Sequence, residues 1–134
     1  MFRSCESVIL YRLGNPKNFN RIYRLCYSFG VRTIYLYETP LMSPGRVFSA
    51  AGKVQVETIT SIDEVPGKVV ALETTGKTSS TELTRADAIM IGGENVSISQ
   101  KLCRDRVRIE MANKLCLTAD QALAIGLYIA GGTP

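Results

Sequence analysis

Histidine is absent from the 134-residue chain. This absence excludes Ser-His-Asp and Cys-His nucleophilic machinery, histidine proton shuttles and zinc sites that contain histidine. The four cysteines, Cys5, Cys26, Cys103 and Cys116, form no C-x-x-C pair. We therefore expect buried free thiols, no metal site and no redox couple.

Long hydrophobic runs are also missing. The apolar run near the N-terminus, Val8–Leu10, is far shorter than the core of a signal peptide, and no segment approaches the 18 apolar residues of a membrane span. The sequence therefore predicts a cytoplasmic protein with no membrane partner. Its length and its 46% hydrophobic content predict one domain, 1–134, with its own core.

Positive charge is concentrated in the first quarter of the chain. The net charge is +4, and up to Arg32 six basic residues stand against Glu6 alone. This asymmetry favours an anionic partner, and nucleic acid before a membrane, because no basic amphipathic helix with an exposed apolar face is evident.

A β-α-β unit opens the chain. Ser7–Tyr11 and Thr33–Tyr37 have the β-branched and aromatic residues of buried strands. The segment between them starts after Pro16, ends at Gly30 and has one apolar helix face, formed by Phe19, Ile22, Tyr23, Cys26 and Phe29. The basic residues Lys17, Arg21 and Arg24 form a stripe on another side of this helix.

The rest of the chain continues the alternation of strands and helices. We predict an edge strand at Lys53–Ile59, strands at Lys68–Glu73, Ala86–Ile91 and Arg106–Ile109, short helices at Val47–Ala51 and about Ser97–Cys103, and a polar loop at Thr74–Thr81. The predicted fold class is α/β, a mostly parallel sheet with helices on both faces.

The last predicted helix begins at a Thr-x-x-Gln capping box, Thr118 to Gln121, and is apolar to Ile129. Small residues recur along it at Ala122, Gly126 and Ala130. A helix that is apolar all round must be covered on all sides, either in a homodimer interface or between the sheet and other helices.

Ligands of open α/β sheets bind beyond the carboxyl ends of the strands. Here those ends lead into Leu13–Asn18, Glu73–Lys77 and Gly92–Asn95. Neither G-x-G-x-x-G nor a Walker loop is present, so a dinucleotide or nucleoside triphosphate lacks its usual signature.

Three segments, in order, resemble the motifs of the SpoU-type members of the SPOUT class of S-adenosylmethionine-dependent RNA methyltransferases. Asn15–Cys26 with Phe29–Val31 resembles N-P-x-N-x-G-x-I-x-R-x-x-x-x-F-G-V, Ile91–Ser99 resembles G-x-E-x-x-G-L-S, and Ile109–Thr118 resembles I-P-M followed by S-L-N.

This resemblance implies a trefoil-knotted sheet, a homodimer and transfer of a methyl group from S-adenosylmethionine to a ribose 2′-oxygen of RNA, with tRNA as the expected substrate. The cofactor-binding positions it implies are Leu72, Thr74, Gly76, Gly92, Gly93, Ile109, Met111 and Leu117. The catalytic positions are Arg24, Asn18 and Glu94. A guanidinium stays protonated, so we expect Arg24 to act electrostatically; Asn18 has a helix N-cap as its alternative role.

RNA binding is expected from Lys17 and Arg21 on the basic stripe, and from Arg104 and Arg106, together with their neighbours Lys101 and Arg108. The chain departs from the motifs at Asn20, Ser97, Glu110, Cys116 and Thr118. A second hypothesis is therefore a catalytically degenerate protein of the same fold that binds RNA or cofactor without methyl transfer. A third is an unrelated α/β protein that binds a small ligand or a protein partner.

Overall fold

The computed structural model describes residues 5–41, 54–77, 81–109 and 117–131. These ranges contain a six-stranded sheet with every neighbouring pair parallel. The strands are β1 (Ser7–Tyr11), β2 (Thr33–Tyr37), β3 (Gln55–Ile59), β4 (Val69–Lys77), β5 (Ala88–Gly92) and β6 (Arg106–Val107), in the spatial order β3-β2-β1-β5-β4-β6. The short helix predicted at 47–51 lies outside the described residues.

The β-α-β unit is confirmed. All of β1 is buried, since it lies between β2 and β5, and Tyr11 is aligned with Tyr37 on one side and Gly92 on the other. The carboxyl ends of these strands therefore meet at one edge of the sheet. The predicted edge strand is also confirmed, because β3 pairs with β2 alone.

The described ranges contain three α-helices: α1 (Pro16–Ser28) between β1 and β2, α2 (Thr81–Thr84) between β4 and β5, and α3 (Ala119–Gly131) after β6. The predicted apolar face of α1 is confirmed, with Phe19, Ile22, Tyr23 and Cys26 buried. They share one core cluster with Leu83 of α2 and with Leu123 and Leu127 of α3.

All three helices thus lie on one face of the sheet. Over the described residues the other face is covered by a 3-10 turn at Ile62–Glu64 and by the segment 96–103, through Ile98 and Leu102. The prediction of α-helices on both faces is wrong for the described residues, because short apolar turns cover the second face of the sheet.

Three local predictions are also wrong. The segment 74–77, predicted as loop, continues β4, because its backbone runs beside β6 with a shift of register after Leu72. The segment 97–103 forms no helix but a turn, in which the carbonyl oxygen of Ser99 accepts from the amides of Leu102 and Cys103. β6 ends at Val107 rather than at Ile109.

Both long helices begin at polar side chains. Asn15 caps α1, with Oδ1 accepting from the Lys17 amide at 2.9 Å. At α3 half of the predicted capping box forms: the Thr118 amide donates to Gln121 Oε1 at 3.1 Å, while the Thr118 hydroxyl donates to Asp120 at 2.8 Å.

The predicted buried thiols are confirmed for the cysteines in the described ranges, Cys5, Cys26 and Cys103, all of them free. Burial raises the pKa of the Cys5 thiol to about 11, and it also raises the pKa values of Cys26 and Cys103. Within the described ranges, no helix has the length and apolar character needed to cross a membrane.

Candidate functional site

A cleft of about 1100 Å³ opens at the carboxyl ends of β1 and β5 and beside the middle of β4. The chain passes from β1 to β2 on one side, whereas β5 lies on the other side, so the cleft is at the point where the strand order reverses. Open α/β sheets bind ligands at this point. The walls are formed by Asn15, Asn18, Leu72–Thr74, Ile91–Ser97, Val107–Ile109, Leu117–Ala119 and Ala122.

One wall of the cleft is apolar. Leu72 of β4 and Ala122 of α3 contribute to it, with Ile109 and Leu117 from the segments after β6 and before α3. Gly126 brings α3 close to β4, since a Cβ on Gly126 would lie 2.9 Å from Cδ1 of Leu72. This wall suits a flat, largely apolar group such as an adenine ring.

The floor of the cleft is formed by two glycines after β5. A Cβ on Gly93 would lie 2.2 Å from the carbonyl oxygen of Arg12, and one on Gly92 would lie 2.9 Å from that of Val96. The Gly93 amide donates to the Tyr11 carbonyl at 2.9 Å. Close packing of backbone on backbone therefore explains both glycines, and a ligand here meets main-chain atoms.

A second wall is polar. Asn18 is half-buried on the first turn of α1, while Glu94, Asn95 and Ser97 are exposed after β5. The backbone of Asn95 has a φ of 60°, a conformation that asparagine tolerates better than most residues. Residues with carboxylate, amide and hydroxyl side chains thus form this wall of the cleft.

Glu73 connects two walls of the cleft. Its Oε2 accepts from the Ile98 amide at 2.7 Å, and its Oε1 accepts from the Thr74 amide at 3.0 Å. Glu73 begins one of the predicted strand-end segments, but no individual role was predicted for its side chain. Its position at the end of a predicted strand was the available signal, but its partner Ile98 lies 25 residues away.

Most of the predicted site residues lie together. The cleft is lined by Leu72, Thr74, Gly92, Gly93, Ile109 and Leu117, with Asn18 and Glu94. Gly76 lies elsewhere, where a Cβ would be 2.7 Å from the backbone of Arg106. Met111 lies outside the described residues. Arg24 is exposed on α1 and is not among the residues that line the cleft.

Asn18 is not the N-cap of α1, because Asn15 occupies that position. The alternative role that the sequence left open for Asn18 is therefore excluded. Lys17 and Arg21 are exposed on α1, as the predicted basic stripe requires.

Arg104 and Arg106 border a smaller hollow of about 170 Å³ beside β6. Arg106 donates to the Thr75 hydroxyl at 3.0 Å and to the Ile98 carbonyl at 3.3 Å, so it also fixes the segment after β5. Glu82 lies in the same hollow, and its pKa is lowered by its hydrogen bond to Lys68. Over the described ranges no group of three or more acidic or cysteine side chains is placed to hold a metal ion.

No protein-family model matches the chain, and no curated protein matches it. Solved structures do match. One, on the 2-OH methylation of C/U34 on tRNA, has 20% identity and a TM-score of 0.78, and the match covers 97% of this chain and 91% of that one.

Two further matches have the same architecture. The A. aeolicus TrmH/SpoU tRNA modifying enzyme has 20% identity and a TM-score of 0.78, with 96% of this chain and 75% of that chain covered. The SpoU methyltransferase AviRb from Streptomyces viridochromogenes, in complex with AdoMet, has 19% identity and a TM-score of 0.71, with 96% and 60% covered. The chain therefore has the fold of the SpoU and TrmH methyltransferases.

Proposed function

We propose that the chain is an S-adenosylmethionine-dependent RNA methyltransferase that modifies a ribose 2′-oxygen, with tRNA as substrate and a homodimer as the active form. The observation that carries the proposal is the cleft, which joins an apolar wall, a glycine floor and a polar wall. The similar structures act on tRNA or hold AdoMet. The activity of these proteins supports the proposal of a methyltransferase.

The cleft fits the cofactor by chemistry and by size. Leu72 and Leu117 would contact the adenine ring, and the backbone at Gly92 and Gly93 would hydrogen-bond the polar parts of the cofactor. Pockets for drug-sized ligands have volumes of about 300–1000 Å³. The cleft, at about 1100 Å³, therefore has room for the cofactor and part of a nucleotide.

When bound, S-adenosylmethionine supplies an electrophilic methyl group. The residues of this chain position the acceptor: Asn18 orients the ribose, and the Glu94 carboxylate accepts a hydrogen bond from the 2′-hydroxyl. Arg24 lies six residues along α1 from Asn18, a rise of about 9 Å. We assign to Arg24 the phosphate that adjoins the ribose, with an electrostatic role in the transition state.

The RNA strand would contact two basic surfaces. Lys17 and Arg21 are exposed on α1, beside β1, and Arg104 is exposed beside β6. β6 is three strands away from β1 in the sheet, a distance of about 14 Å. Because the cleft lies between these surfaces, they would hold RNA on both sides of the methylated nucleotide, and binding should weaken steeply with salt.

The homodimer would bury apolar side chains that this single chain exposes. Tyr27 on α1 is 46% exposed, and Ile125 and Tyr128 on α3 are 36% and 49% exposed, on the same face of the sheet. The small residues Ala122, Gly126 and Ala130 do not all lie in the proposed interface. Gly126, the central one, packs on Leu72 and Ile89 inside the same chain. A solution mass of twice the 14.7 kDa chain is expected. The knot stays a prediction.

The test is transfer of isotope-labelled methyl groups from S-adenosylmethionine to total tRNA, followed by nucleoside analysis. We expect a 2′-O-methylated nucleoside, and at least about a tenfold loss of rate in Asn18→Ala and Arg24→Ala. Arg32→Ala is the matched control. Arg32 is a basic residue with an 81% exposed side chain, and it immediately precedes β2, at the amino ends of the strands and so at the far end from the cleft. Calorimetry that detects no cofactor binding would refute the proposal.

One observation favours the second candidate, a protein of this fold that binds RNA or cofactor without methyl transfer. Thr118, which stands where the motif has asparagine, donates its hydroxyl hydrogen to Asp120 at the start of α3. That hydroxyl hydrogen is then not available to a substrate. Intact binding of RNA and cofactor, with no labelled nucleoside, would select this candidate.

A further inference from the structure

The first residues after β1 and β2 form an ion pair beside the cleft. Arg12 has a φ of 53° and Glu38 a φ of 49°, and Nη2 of Arg12 lies 3.2 Å from Oε1 of Glu38. Tyr11 and Tyr37 are aligned in the sheet, so Arg12 and Glu38 occupy equivalent positions. Residues with side chains rarely adopt this left-handed backbone, and such outliers cluster at functional sites.

Hydrogen bonds hold this backbone in place. The Arg12 amide donates to the Tyr37 carbonyl at 3.2 Å. Thr39 is buried, and its hydroxyl oxygen accepts from the Leu13 amide at 3.2 Å while the hydroxyl donates to the Leu10 carbonyl at 2.8 Å. The side chains of Arg12 and Glu38 are therefore presented from a fixed frame.

Tyr11, Arg12, Tyr37 and Glu38 together form what we call the strand-end platform. The rings of Tyr11 and Tyr37 stack with centroids 5.4 Å apart, and the Arg12 guanidinium carbon lies 5.0 Å from the Tyr11 centroid. The side chains of Arg12 and Glu38 are 55% and 47% exposed. A planar guanidinium on an aromatic base thus lies next to a carboxylate, and both are open to solvent.

The backbone of the platform adjoins the floor of the cleft. The Arg12 carbonyl oxygen packs directly on Gly93, and the Tyr11 carbonyl accepts from the Gly93 amide at 2.9 Å. Gly93 and Glu94 line the cleft. A nucleic acid strand that places one nucleotide in the cleft therefore has the platform within reach of a neighbouring nucleotide.

We propose that the strand-end platform binds an unpaired nucleobase of the RNA, next to the nucleotide in the cleft; this inference rests on the proposed function. Unpaired bases stack on aromatic rings and on guanidinium planes. Because Tyr11 is buried, the base would stack on the exposed guanidinium of Arg12, which lies over the Tyr11 ring. The Glu38 carboxylate would accept a hydrogen bond from an amino group of the base. Because Arg12 is neutralised by Glu38, the platform suits a base better than a phosphate.

The first test compares variants of Arg12 in methyl transfer to total tRNA. Arg12→Gly removes the side chain but keeps the left-handed backbone that glycine readily adopts. Arg12→Lys keeps the charge but loses the planar group. We expect both to raise KM for tRNA about tenfold, with KM for S-adenosylmethionine unchanged, because stacking is lost in both. Arg32→Ala is the matched control, because it breaks the Arg32–Glu6 pair at the amino ends of β1 and β2.

The second test needs no catalysis. Photocrosslinking of an RNA dodecamer that contains 5-iodouridine should label the peptide with Tyr37, and Tyr37→Leu should abolish this label. Methyl transfer without that label, and with a normal KM in Arg12→Gly, would overturn the platform and leave the proposed function standing. Label at Tyr37 without methyl transfer would support the platform and overturn the proposed function. A normal KM in Arg12→Lys would show that charge alone acts, which also overturns the platform.

Discussion

Asn15 caps the helix on which Asn18 lies: its side-chain oxygen accepts from the Asn18 backbone amide at 3.4 Å and from the Lys17 amide at 2.9 Å. The two asparagines of the same short segment therefore have separate tasks. Asn15 satisfies the first amides of α1, which leaves the side chain of Asn18 to line the cleft.

This division of tasks predicts that alanine at position 15 lowers stability, whereas alanine at position 18 lowers activity. Asn15→Ala should lower the free energy of unfolding by about 1 kcal/mol, because a cap is lost, and Asn15→Ser should restore most of it. Asn18→Ala should change stability by less than about 0.5 kcal/mol while methyl transfer falls at least about tenfold. Urea unfolding and a tRNA methylation assay measure the two effects. A loss of stability in Asn18→Ala as large as that in Asn15→Ala would contradict this assignment.

Gly93 predicts a steric effect on stability. In Gly93→Ala the new methyl group would lie 2.2 Å from the Arg12 carbonyl oxygen, and a backbone atom cannot move aside cheaply. We expect a loss of about 3 kcal/mol. Gly14→Ala is the matched control, since a Cβ there meets nothing within 4 Å, and its effect should stay within about 1 kcal/mol. Equal unfolding midpoints for the two variants would refute the prediction.

The central part of the fold was predictable because local pattern and tertiary packing agree there. β1 is buried throughout and apolar after Ser7, and the apolar face of α1 at 19–26 matches the helical period. The end of β4 was not predictable. Its polar residues at 74–77 resemble a loop, and only the pairing with β6, about thirty residues later, makes them a strand.

The cleft was predictable in part for the same reason. The motif resemblance identified Asn18, Gly92, Gly93 and Glu94, which lie close to strand ends that the sequence itself marks. It gave no individual role to the side chain of Glu73, whose contribution depends on the backbone of Ile98. Nor could a sequence show that Arg12 and Glu38 meet, because their contact depends on the register of β1 with β2.

Gly126 and Leu72 predict a coupling between α3 and cofactor binding. Gly126→Ala favours the helix by about 1 kcal/mol, but its Cβ would lie 2.9 Å from Cδ1 of Leu72. The end of this flexible side chain can shift, and Leu72 lines the cleft. We expect little change in stability and roughly fivefold weaker binding of S-adenosylmethionine, about 1 kcal/mol.

A double-mutant cycle with Leu72→Ala checks this coupling by calorimetry. In the Leu72→Ala background, Gly126→Ala should no longer weaken cofactor binding, because the displaced side chain is gone. Additive losses from the two substitutions would show that α3 influences the cleft by another route.

The buried Cys5 thiol predicts a loss of stability at alkaline pH. Burial raises its pKa from 9.0 to about 11, and its single thiol hydrogen is shared between the Ser7 and Asp87 carbonyls, which lie 3.3 and 3.2 Å from Sγ. The folded state holds this proton more tightly than the unfolded state. The stabilisation is therefore fully present below pH 9 and is lost as pH rises through 11. Between pH 8.5 and 11 the wild type should lose about 2 kcal/mol more than Cys5→Ala, measured by urea unfolding at each pH. Parallel stability curves for the two proteins would show that ionisation of this thiol does not oppose the fold.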